Sequence, residues 1–226
     1  MKPRIKTISL SLPYRLGRVN CYLIDTGSSH VLIDTGCSNE RTHLEEELES
    51  AGCRPGDLSL IILTHGDFDH TGNAAYLRGK FGGEIAMHHD DWGMVERGDM
   101  FWNRRKRNFL IRKTAPFLFG FRKADRFGPD LSVEDGYDLS GYGFDARVLC
   151  IRGHSKGSIG ILTAGGDLFC GDLLTNGDRP VLNSIMDDPA AANASIERLR
   201  NSGIGTVYPG HGEPFPMEMF MKSIRR

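Results

Sequence analysis

His65, Asp67, Asp69 and His70 fall within one short stretch, Thr64-His65-Gly66-Asp67-Phe68-Asp69-His70, immediately after the apolar run Leu58–Leu63. Two imidazoles and two carboxylates at the end of a buried strand suit a divalent transition metal, which takes neutral imidazole nitrogen and ionised carboxylate as ligands. A strand end holds the backbone rigidly, and a tight loop after it lets side chains two and four residues apart converge. The competing reading is a polar turn that caps the next helix through Asp69 or Thr71. One histidine would fit that turn; the whole cluster fits a metal better.

Three later fragments carry one candidate ligand each. Gly153-His154 follows Ala146–Ile151, Gly171-Asp172 follows Asp167–Cys170, and Gly210-His211-Gly212 follows Thr206–Pro209. Each sets a His or Asp at the end of an apolar run beside a glycine, which permits close backbone approach. Taken in order with Leu32-Ile33-Asp34-Thr35-Gly36, these fragments resemble the metallo-β-lactamase superfamily over nearly the whole chain. The resemblance implies a four-layered αββα sandwich of the α/β class, with the ligand loops along one edge of its two sheets. It also implies two metal ions: His65, Asp67 and His154 on the first, Asp69, His70 and His211 on the second, and Asp172 bridging them. Asp34 is then expected to hold a ligand histidine or a loop backbone.

The family pattern is His-x-His-x-Asp-His, and here Asp67 stands at the second histidine. A third carboxylate makes the centre less positive, so it acidifies bound water less and favours harder ions such as manganese or ferrous iron. The flavodiiron branch carries Glu at that place, so an anion there is compatible with a two-metal site. Zinc remains the expected ion for a hydrolase.

The expected chemistry is hydrolysis of a small ester, thioester or lactone by a metal-bridging hydroxide, with Asp69 orienting the nucleophile and carrying a proton. The alternatives are an iron-dependent oxidoreductase of the same fold, flavodiiron-like or persulfide dioxygenase-like, and a phosphodiesterase. Lys156, two residues beyond His154, is a candidate anchor for a substrate carboxylate or phosphate, and Tyr208 a candidate oxyanion donor. His88 and His89 lie outside the recognised fragments.

Composition restricts the remaining possibilities. A chain of 226 residues, 39% hydrophobic, can bury a substantial core, and residues 1–226 read as a single domain. A formal charge of −1 gives no global attraction to nucleic acid or to a membrane surface. The five cysteines are odd in number and form no C-x-x-C pair, which points to reduced thiols and a cytoplasmic setting. Arg15 and Arg18 interrupt any signal-peptide core, and no apolar run approaches membrane-spanning length. A small-molecule substrate is expected, with neither a nucleic-acid partner nor stable membrane association.

Strand-like runs at Asn20–Ile24 and His30–Ile33, a helix N-capped by Ser38 and ending at Leu48, and a helix from Thr71 to Leu77 precede a strand at Glu84–Met87. Three strands ending near His154, Thr163 and Asp172, and a helix from Asn193 to Arg200, follow. Residues 91–129 break the rhythm. Between Arg104 and Lys123 there are eight Lys or Arg and no acid, interleaved with aromatic residues. Pro116 suggests two short amphipathic helices there. This helical, basic–aromatic insertion is expected to pack on the sandwich, to serve as a lid over the metals, or to form the contact of a homodimer.

Overall fold

Apolar alternation sorts the chain into two sheets in the computed structural model, which describes residues 4–104 and 109–224, with backbone alone for 109–112. Arg105, Lys106 and Arg107, and the side chains of Phe109, Leu110, Ile111 and Arg112, lie outside the described residues. Strands β1 (Arg4–Ser11), β2 (Arg18–Asp25), β3 (His30–Ile33), β4 (Leu58–Ile62), β5 (Glu84–Met87) and β6 (Leu131–Ser132) form the first sheet, in that spatial order. Strands β7 (Ala146–Cys150), β8 (Ile159–Thr163), β9 (Asp167–Asn176), β10 (Pro180–Leu182), β11 (Thr206–Gly212) and β12 (Phe215–Pro216) form the second. Its order is β12-β11-β9-β8-β7, with β10 paired to the end of β9.

The first sheet changes direction at β3. β1, β2 and β3 pair antiparallel, and β3 to β6 pair parallel. Parallel neighbours need a crossover, which the helices Arg41–Ser50 and Ala74–Phe81 supply. Because side chains alternate across a strand, β2 and β3 feed two apolar layers at once. Leu23 and Leu32 face Leu44, Leu48, Leu77 and Phe81 of the crossover helices. Tyr22, Ile24, Val31 and Ile33 face Val148, Ile161 and Phe169 of the opposing sheet. The other side of the second sheet buries Leu149, Leu162 and Leu168 against Ile196, Leu199 and Phe220 of the helices Pro189–Leu199 and Met217–Ser223. The result is an αββα sandwich, and no helix among the described residues is long and apolar enough to cross a membrane.

Several boundaries differ from the sequence expectation. Ser38 starts a 3-10 turn, and its hydroxyl donates to the Gly120 carbonyl at 2.7 Å, so it does not cap the helix, which begins at Arg41. The helix expected at Thr71–Leu77 is two pieces, Phe68–Thr71 and Ala74–Phe81. β9 runs on past Asp172 to Asn176, where pairing with β10 and β11 extends it. Pro116 does not split the insertion helix. It sits in the last turn of Phe109–Leu118, where a missing N–H costs one hydrogen bond and the helix ends two residues later.

The insertion packs on the sandwich. Met94, Met100, Ala115 and Phe121 gather around Phe68, the residue between Asp67 and Asp69. The Phe68 and Phe121 rings stack at 4.2 Å with planes 7° apart. The wall of the site and its ligand loop therefore share one apolar contact. At the centre of the sandwich, Phe169 touches the rings of Tyr22, Tyr208 and Phe144 and is fully buried. Phe169→Ala is expected to lower the unfolding free energy by about 3–5 kcal/mol, read from urea denaturation. A loss below about 1 kcal/mol, well short of the range for buried Phe→Ala, would show that the two sheets are not held together there.

Candidate metal centre

Asp34 is the first residue after β3 and has a left-handed backbone, with φ 58°, a conformation Asp tolerates better than most residues. Its Oδ1 accepts from the Thr64 amide at 2.8 Å. Its Oδ2 accepts from the Thr64 hydroxyl and from His70 Nδ1, both at 2.8 Å. The Thr64 hydroxyl, having donated its proton, accepts from His65 Nδ1 at 2.9 Å. His154 Nδ1 donates to the Ile185 carbonyl at 2.7 Å, and His211 Nδ1 donates to the Arg18 carbonyl at 2.6 Å. Carbonyls and carboxylates only accept, so all four imidazoles carry hydrogen on Nδ1 and present Nε2 inward. An acceptor on the far nitrogen is the usual means of orienting a metal-binding histidine.

The carboxylates lie among those Nε2 atoms. Asp172 reaches both halves of the cluster, with one oxygen 3.3 Å from His70 Nε2 and the other 3.3 Å from His211 Nε2 and 4.0 Å from His154 Nε2. Asp69 Oδ2 is 3.5 Å from His211 Nε2. Asp67 Oδ2 is 3.0 Å from His154 Nε2 and 3.7 Å from His65 Nε2. The donor atoms fall into two groups, His65–His154–Asp172 and Asp69–His70–His211, each within 4.8 Å of one another. The irregular register of β11 against β9 sets His211 beside Asp172. Gly210 is required there, since a Cβ would come within 2.3 Å of Asp172 Oδ1 and 2.8 Å of the His70 ring.

These residues fit a pair of divalent cations. Nε2 of His65, Nε2 of His70 and Oδ1 of Asp172 are buried with no hydrogen-bond partner, which is costly for polar atoms unless something else satisfies them. Protons compete for the same nitrogens. Burial opposes a charge on His211, but Asp172 and Asp69 beside it push its pKa up to about 9. His70 is likewise raised against burial by Asp172, Asp34 and Asp69. Burial alone would lift Asp67, yet Arg104, His154 and His65 hold its carboxyl well below the usual range. Asp69 is raised, chiefly by burial.

Residues 14–211 match the model of the metallo-beta-lactamase superfamily. The chain belongs to that superfamily. The human Metallo-beta-lactamase domain-containing protein 1 is 28% identical over 205 residues, which span 90% of this chain but 65% of that protein. The hydroxyacylglutathione hydrolase GloC of Haemophilus influenzae is 32% identical over 171 residues, 74% of this chain and 71% of that one. Among solved structures, TTHA1623 in a di-iron-bound form gives a TM-score of 0.72 at 28% identity and covers 95% of this chain and 96% of its own. The chain is an enzyme of the metallo-β-lactamase fold with a candidate dinuclear metal centre.

The structure brings together His65, Asp67, Asp69, His70, His154, Asp172 and His211, and places Asp34 beneath two of the histidines. It does not bring Lys156 or Tyr208 to the site. A cavity of about 680 Å³ opens onto Asp67, Asp69, His154, Asp172 and His211, and neither residue lines it. Lys156 lines a separate cavity, with Arg152, Asp187 and Asp188. Tyr208 points between the sheets, stacked on Phe169 at 4.9 Å. Two residues were missed. Asp91, fully buried, accepts from the Gly66 and Gly157 amides and from the Ser155 hydroxyl, tying the His65 loop to the His154 loop. Arg104 reaches Asp67 from the insertion.

Asp34→Asn keeps the left-handed backbone but removes the charge that orients His70. Zinc affinity, measured by chelator competition, is expected to fall on the order of 10- to 100-fold; unchanged affinity would mean Asp34 serves only the turn. Because a bound cation displaces the His211 proton, zinc affinity should decline as pH falls below about 9. An affinity independent of pH between 6 and 9, the span in which ~one proton should be released, would contradict that competition.

Proposed function

We infer that the enzyme hydrolyses small esters, thioesters or lactones whose acyl part is apolar. The cavity carries this reading. Its floor is the carboxylate–imidazole cluster, and its walls are Leu12, Leu16, Met100, Phe101, Phe119 and Ile185. The lining is mostly apolar, with Arg18, Thr175 and Asn183 adding polar groups to those of the cluster, as in small-molecule sites that fix the reacting group and shelter the rest. The bound cations would supply an acidified water and a Lewis acid for the acyl carbonyl.

The protein's part is to orient and to manage a proton. His65, His70, His154, His211 and Asp172 would hold the cations. Asp69 lines the cavity and is half-buried, so its carboxylate can align the attacking water and hold the proton it releases. No cysteine is needed, and burial pushes the thiols of Cys21 and Cys37 upward. Zinc is the ion proposed for this chemistry. The three carboxylates, and the likeness to a protein solved in a di-iron-bound form, favour manganese or iron as the second choice and an iron-dependent oxidoreductase as the second reading.

A panel of acyl thioesters, lactones and phosphodiesters, assayed with zinc, manganese and ferrous iron, tests the assignment. Thioester or lactone hydrolysis is expected, improving with an apolar acyl group, and Asp69→Asn should slow it about 100-fold or more. Turnover of phosphodiesters alone, or oxygen consumption with iron and no acyl hydrolysis, would overturn it.

A further inference from the structure

Arg104 enters the centre from the insertion, and its side chain is 4% exposed. Nη1 lies 2.8 Å from Asp67 Oδ1, and Nε lies 2.8 Å from Asp187 Oδ2. Nη2 stands 3.4 Å from His154 Nε2. One guanidinium therefore covers donor atoms of two residues, Asp67 and His154, that resemblance assigns to the first metal. The other position has no such neighbour among the ion pairs of the described residues: Asp69, His70 and His211 face only one another, Asp34 and Asp172.

The pairing accounts for the carboxylate at Asp67. An imidazole there would leave a buried guanidinium facing a neutral ligand, whereas an anion gives it a counter-charge. The two carboxylates occupy Arg104, so its charge is not available to recognise an anionic substrate. A cation seated on His154 Nε2 would face a guanidinium already close to that nitrogen, and like charges in a buried site repel strongly. Asp67 meets Arg104 through Oδ1 and the histidines through Oδ2, so metal and arginine compete at His154 Nε2.

We propose that Arg104 is a built-in competitor for the first metal position, so that the chain fills the Asp69–His70–His211 position tightly and the His65–His154 position weakly. The proposal rests on the metal-centre reading given above. His65, His154 and Asp172 still converge and Asp67 Oδ2 stands 3.0 Å from His154 Nε2, so the weak position keeps its donors and fills when the guanidinium draws back from His154 Nε2. The two ions would then be held unequally by construction.

The full chain, stripped with a chelator, is titrated with zinc alone and followed by chelator competition and by NMR of the histidine Nδ1 protons. Wild type should bind two equivalents in separate steps, the second weaker by about tenfold or more. The first equivalent should shift His70 and His211, and the second His65 and His154. Arg104→Gln should tighten the second step on the order of 10- to 100-fold. Arg104→Lys keeps a buried cation but cannot fork to both carboxylates, and should tighten it less. Should the Gln variant fail to fold, the wild-type isotherm and the Lys variant decide the matter. Two equal steps in wild type, or a second step unmoved by either substitution, would overturn the role of Arg104 alone. A wild-type chain that binds no zinc would overturn the metal-centre reading itself.

Discussion

An imidazole is a useful metal ligand only when its far nitrogen is held, because a ring free to rotate or to exchange tautomers presents no fixed lone pair. The hydrogen bonds on Nδ1 of four histidines are thus the constraint on which the centre depends. Asp34 supplies two of them, directly to His70 and through the Thr64 hydroxyl to His65. The other two acceptors are main-chain carbonyls, Ile185 for His154 and Arg18 for His211. Their positions follow from the strands and loops alone, so the orientation of those rings is a property of the fold. The left-handed turn at Asp34 is the point where β3 is spent on chemistry.

The insertion has a second role besides packing. Its apolar side rests on Phe68 and supplies part of the cavity wall, while Arg104 from the same segment reaches inward to Asp67. Asp91, its first residue, joins the loops that carry His65 and His154. Wall, charge and loop spacing at the candidate His65–His154 position are all shaped by this stretch. The second position is built from the sandwich itself. The centre is asymmetric in its mechanical support as well as in its ligands.

Much of the site was legible because its residues mark themselves locally. His65 to His70 cluster in one loop, and His154, Asp172 and His211 each follow an apolar run next to glycine. The strands from β2 to β5 declared themselves by alternation and by bounding turns. What stayed hidden depends on distant partners. Nothing near Arg104 indicates that it turns toward Asp67 while Lys156, closer in sequence to a ligand, turns away. Asp91 looks like any acid at a helix start until Gly66 and Ser155 come to it. Ser38 has the composition of a cap, yet Gly120, far along the chain, takes its hydroxyl. Tyr208 sits next to a ligand-bearing turn, but strand alternation sends it into the core. β1, with its polar outer face, carries too weak a pattern to announce a strand.

Anomalous diffraction at the metal absorption edge, from crystals grown with zinc or manganese, tests the central claim most directly. Density is predicted among Asp69, His70, His211 and Asp172, bonded through Nε2 of both histidines, with a second, less occupied peak at His65 and His154. Metal bound through Nδ1, or found only at other side chains such as His88 and His89, would contradict the account.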